Sequence, residues 1–96
     1  MYMEDKACGR MKFICTDILE CLADHSTVVG GSSREEKVQG AELYLRDSFL
    51  VAGVDYGSPD PAGIKRVLKV LAAREIASGK DVRAVSANLI KIAQEL

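Results

Sequence analysis

The chain has 96 residues, of which 48% are hydrophobic and 28% charged, and a formal net charge of −1. A length like this fits one domain with a modest core, because folding at this size removes only about 60–65% of the unfolded surface from water. No apolar run approaches the ~18 residues needed to cross a bilayer, and the well-mixed charges and high apolar share are those of a globular rather than a disordered chain.

Residues 1–10, "MYMEDKACGR", lack an apolar stretch and a small-residue cleavage signal, so they do not read as a secretory leader. They are expected to form a flexible, disordered N-terminal extension, with a single helical domain over 11–96.

The spacing predicts a first helix over 12–24, with Cys15, Ile18 and Leu22 on one face and Ile14 and Cys21 beside them. "HSTVVGGSS" then breaks the periodicity. Its glycine-rich end precedes a helix N-terminus, a setting that can receive an anion, although the lysine and spacing of a P-loop are missing. Ser33 and Glu36 form an S-x-x-E capping box, which opens a second helix over 34–52. Val38, Ala41, Leu45, Phe49 and Ala52 step along it by threes and fours, and Tyr44 lies next to that stripe. The segment "SFLVAGV" is apolar all round, so it is expected to be deeply buried or part of an interface; a short strand is the alternative there.

Gly53 suits a helix C-cap. Asp60 followed by Pro61 supplies a capping carboxylate and then proline at the first helical position. The third helix is predicted over 61–78, burying Ile64, Val67, Leu68, Leu71 and Ile76 and carrying a basic flank of Lys65, Arg66, Lys69 and Arg74. Gly79 closes it. Asp81 is the expected N-cap of a fourth helix over 81–95, where Val82, Val85, Leu89, Ile92 and Leu96 make a narrow seam. The expected fold is therefore all-α: a small, four-helix bundle-like single domain.

Chemistry-bearing residues are sparse. There is one histidine, His25, and three cysteines, with no CxxC pair. Zinc sites need four N or S ligands at short spacing, so no metal site is expected. One histidine and scattered serines do not assemble a nucleophile, base and orienting group. No catalytic residue and no cofactor is expected, and the protein is not expected to be an enzyme. An odd cysteine count points to a reducing, cytoplasmic compartment.

Charge is uneven along the chain. Residues 1–60 carry six basic and eleven acidic side chains, whereas residues 61–96 carry seven basic and three acidic. Such asymmetry can mark a face for an acidic partner. The stretch Gly79–Leu89, "GKDVRAVSANL", resembles the turn and recognition helix of helix-turn-helix DNA readers at Gly79, Val85, Ser86 and Leu89. It departs from them where an apolar residue and alanine should precede the turn, since Arg74 and Glu75 stand there, and Lys80 replaces an apolar plug.

The resemblance implies a DNA-binding regulator using an element over 71–91. Arg83, Ser86 and Asn88 would reach base edges, and Lys65, Lys69, Lys80 and Lys91 would contact phosphates. A second stretch, "PAGIKRVLK", resembles the last-helix start of colicin-type immunity proteins at Pro61, Gly63, Ile64, Leu68 and Lys69. It departs from them in having Tyr56 alone upstream and a further helix downstream. That likeness implies a protein inhibitor.

The reading that combines these features is a non-catalytic protein-binding module: an adaptor, inhibitor or assembly factor. Its expected contacts are Leu50, Val51, Val54 and Tyr56, rimmed by Lys65, Arg66 and Lys69. Its partner would be a protein, with a homodimer possible, DNA as the alternative and no membrane.

Overall fold

A computed structural model describes residues 2–96, with side chains described from Met11 onward. The extension expected over residues 1–10 lies outside the residues whose side chains are described. Four helices follow in order: α1 (Tyr2–His25), α2 (Arg34–Ala52), α3 (Pro61–Ala77) and α4 (Arg83–Gln94). No strand occurs among the described residues, and "SFLVAGV" continues α2 instead of pairing as a strand. Each helix packs on its sequence neighbours, and α4 closes back on α1. One core cluster draws on all four, from Ile14, Ile18 and Leu22 through Leu45, Phe49, Ile64 and Leu71 to Val85 and Leu89. The radius of gyration is 13.1 Å, as expected for a folded chain of about 100 residues.

The helix boundaries have local causes. Ser33 is the N-cap of α2, and its hydroxyl accepts from the Glu36 N–H at 3.2 Å. The reciprocal arm of the capping box differs from the usual pattern. The Glu36 carboxylate accepts from the N–H and hydroxyl of Ser32, at 3.0 and 3.2 Å, one residue earlier than the cap. Gly53 ends α2 in the left-handed region (φ 69°), donating to Leu50 while Val54 donates to Phe49. Asp60 caps α3 through Gly63 N–H at 2.6 Å, with Pro61 at the first turn.

Gly63 is buried, and a side chain there would have no room. A Cβ would stand 2.8 Å from Val54 Cγ1 and 2.9 Å from the capping Asp60 Oδ1. The glycine thus lets the α2–α3 connection fold back against the start of α3.

Two expectations are corrected. Asp81 is not the N-cap of α4; Val82 holds that position without a side-chain cap. Asp81 instead accepts from the Arg83 N–H two residues on, at 3.0 Å, so its carboxylate closes a local turn and the helix starts later. Ile76 is not part of the buried face of α3, being 65% exposed, while its neighbour Glu75 is fully buried. One residue is about 100° of helix rotation, and here the face turned to the core at that level carries a carboxylate.

Candidate functional site

The buried polar centre is built on Glu75. Its side chain points from α3 toward the α1–α2 connection, where Ser26 and Thr27 follow the end of α1. Oε2 accepts from the hydroxyls of Ser26 and Tyr44, both at 2.8 Å. Oε1 accepts from the N–H and hydroxyl of Thr27, at 2.6 and 3.0 Å. Four neutral donors from two other parts of the chain therefore replace the water this carboxylate loses.

The cluster extends to Ser78, whose Oγ lies 2.7 Å from that of Thr27, and to Lys80, whose Nζ donates to the Thr27 carbonyl at 3.2 Å. Arg74, next door, pairs with Asp47 at 2.6 Å and donates to the buried Ser48 hydroxyl at 3.2 Å. Burial, together with the hydrogen bond to Glu75, pushes the Tyr44 hydroxyl well above its ordinary pKa. Glu75 is fully buried, and Ser26, Thr27 and Tyr44, which donate to it, belong to the fold. Its chemistry is that of a staple joining α1, α2 and α3.

Cys21 shows a related effect. Burial, reinforced by the Glu75 and Asp24 charges, raises its thiol to about 11. Cys15 is raised by burial as well. Both are free and poor nucleophiles, because the thiolate is the reactive form. Among the described residues no group of three or more His, Cys, Asp or Glu side chains is placed to hold a metal ion. In the glycine-rich loop before α2 the Glu36 carboxylate takes both donors of Ser32, its backbone N–H and its hydroxyl.

The residues expected to read DNA do not converge. Arg83 is exposed, but its guanidinium grips Asp81 at 2.7–3.2 Å. That hydrogen bonding lowers the Asp81 pKa. Asn88 stands about 140° around the helix from Arg83 and about 160° from Ser86, and its amide donates to the Ala84 carbonyl at 2.8 Å. Asn88 and Lys91 line a groove of about 310 Å³ against α1, whose other walls carry Asp17, Glu20 and Asp24. Phosphates would meet that acidic wall first. Lys80 is engaged with the Thr27 carbonyl, Ser86 is half-buried, and Lys65 and Lys69 lie exposed on α3.

The residues expected at a protein interface fall into two groups. Leu50 and Val51 are 78% and 59% exposed. Deep burial in the segment "SFLVAGV" thus holds only for Ser48 and Phe49. Tyr56 rests edge-on against Phe49, ring centroids 5.0 Å apart, with the Arg46 guanidinium 4.8 Å above its ring. Val54 packs toward Gly63. Lys65 and Lys69 belong elsewhere: α3 meets α2 through Arg74, and the two lysines turn about 140–180° away from that side. Arg66 is exposed between the two sides.

Two participants were not anticipated. Leu43 is 70% exposed and lies one heptad before Leu50, so the two share the helix face opposite Ala41 and Leu45. The signal was the spacing of seven, out of phase with the core stripe. Glu75 had no such signal, because a glutamate on an amphipathic helix ordinarily faces water. Compared with protein-family models, curated proteins and solved structures, the chain finds no match in any of the three.

Proposed function

We propose that this protein is a non-catalytic protein-binding module whose contact surface is the outer face of α2. The observation that carries this reading is the exposure of three large apolar side chains on that one helix: Leu43 at 70%, Leu50 at 78% and Val51 at 59%. Single exposed apolar residues are ordinary, and among the residues whose side chains are described α1, α3 and α4 each present one such residue: Phe13, Ile76 and Ile90. Leu43 and Leu50 share one face, with Val51 about 100° round from Leu50 on its flank, and an apolar pair on one helix face is the pattern of a docking ridge. Val54, Tyr56 and Arg66 extend it at the end of the bundle where α2 passes into α3. Lys65 and Lys69 sit on the far flank of α3 and serve as a separate basic surface. The unpaired Cys15 and Cys21 support a cytoplasmic place of action.

Retention from a lysate of the source cells tests the proposal. The immobilised chain is compared with Leu43→Asp/Leu50→Asp and with Lys65→Glu/Lys69→Glu. A protein held by the unmodified chain and by the lysine variant, but released by the leucine variant, is the expected outcome. Retention that ignores the leucine variant, or is lost only with the lysines, overturns the assignment to α2.

A further inference from the structure

We infer that the outer stripe of α3 docks an acidic helical segment of a protein partner, with Lys65 and Lys69 recognising its carboxylates. This surface is separate from the outer face of α2 and does not rest on it.

Ala62, Lys65, Lys69, Ala73 and Ile76 follow one another along α3 at steps of three, four, four and three, which keeps them on one helix face. All five are exposed, Ile76 to 65%. Arg66, also exposed, stands about 60° around the helix from Lys69 and borders the stripe. The stripe is cationic in its middle, small at Ala62 and Ala73, and apolar at Ile76.

These cations are uncommitted, unlike the others that follow Pro61. Arg74 pairs with Asp47 and Arg83 with Asp81, Lys80 donates to the Thr27 carbonyl, and Lys91 lines the groove beside Asp17, Glu20 and Asp24. Among the described residues, Lys65, Arg66 and Lys69 have no ion pair or hydrogen-bond partner for their side chains. Nor does an acid on the same face offset them. Glu75, the one acidic residue of α3, is buried and turned to the core. The acids of the flanking connections are engaged: Asp55 accepts from the Gly57 N–H, Asp60 caps α3, and Asp81 is held by Arg83. Glu95 lines the groove on the α1 side of α4.

Magnitudes select the occupant. Salt-sensitive nucleic-acid binding draws on about 6–10 phosphate contacts, and an anionic lipid surface is read by clusters of about four to eight basic residues. Here three cations stand on a chain of net charge −1, with an isoleucine in line with them. Lys65 and Lys69 lie about 6 Å apart along the axis, the spacing of carboxylates at i and i+4 on a second helix. The alanines admit that helix closely, and Ile76 offers an apolar contact beyond the charges. An acidic amphipathic helix meets every element of the stripe.

Fluorescence anisotropy tests this with a labelled, alanine-based helical peptide. It carries glutamates at i and i+4 in the middle of one face and a leucine at each end of that face. The unmodified chain should bind it at about 50 mM salt and several-fold more weakly at about 200 mM. Lys65→Glu/Lys69→Glu, with its helical circular dichroism intact, should lose at least about tenfold in affinity, because like charges then face each other. That variant should instead bind the same peptide with lysines in place of the glutamates. Leu43→Asp/Leu50→Asp should bind the glutamate peptide as the unmodified chain does. No binding, or equal binding of a glutamine version, would overturn the proposal. Loss of binding in the leucine variant would move the peptide to α2 and overturn the assignment to α3. Tighter binding of a labelled DNA duplex or of phosphatidylserine vesicles than of the peptide would overturn the acidic protein segment as occupant.

Discussion

A carboxylate taken out of water keeps its charge only where donors replace the lost hydration. Around Glu75 the donors are the hydroxyls of Ser26, Thr27 and Tyr44 and the Thr27 N–H. Glu75→Gln converts one acceptor oxygen into a donor facing other donors. It should cost about 2–4 kcal/mol, and Tyr44→Phe about 1–2 kcal/mol, both read from urea unfolding midpoints. If Glu75→Gln unfolds at the same midpoint as the unmodified chain, the staple is ornamental.

The same burial makes stability depend on alkaline pH. Cys21 is raised from 9.0 to about 11, and Tyr44 is raised too. The folded chain therefore holds these protons after the unfolded chain has released its own. Stability is fully present below pH 9 and falls as pH rises toward 11. Urea titrations across that range check the slope, and Cys21→Ala should flatten it. Alkylation followed by peptide mass spectrometry should find Cys21 unlabelled in the folded state and labelled in urea.

At the scale of the elements, capping and glycine placement fix where helices begin and end. Gly63 is the sharpest case, because a methyl there meets Val54 and the capping Asp60 at once. Gly63→Ala gains helix propensity elsewhere in proteins, but here it should destabilise by about 1–3 kcal/mol, measured by thermal unfolding. A rise in melting temperature would mean that Val54 moves aside freely.

Much of this level was legible in the sequence. The α2 limits, Ser33, Gly53, Asp60–Pro61 and Gly79 follow from local chemistry that needs no tertiary context. The core stripes of α2 and α4 follow from periodicity. Asp81 was misplaced because an aspartate before a helix can cap it or close a turn with its own neighbour, and Arg83 decides for the turn. Ile76 is expected on the buried face and Glu75 takes that place instead, for a reason that lies far away in sequence. The donors that make a buried glutamate tolerable are about 31 to 49 residues distant, and no local pattern reports them.

At the scale of the molecule, four short helices close one core and leave α2 with apolar side chains on both its inner and outer faces. The proposed contact surface was half legible. Leu50 and Val51 were visible as an apolar surplus, whereas Leu43 was hidden inside an otherwise polar stretch. Lys65 and Lys69 were grouped with the leucines by proximity in sequence, and helix rotation separates them. Because Leu50 contributes little to the core, Leu50→Asp should change unfolding free energy by less than about 0.5 kcal/mol. A large loss of stability would place Leu50 in the fold instead of at a contact.

The most direct single measurement is a mass-spectrometric comparison of the proteins retained from lysate by the intact chain and by Leu43→Asp/Leu50→Asp. The intact chain is predicted to hold a protein that the variant releases. The variant should keep its helical circular dichroism. A retained set that is the same for both would contradict a contact surface on α2.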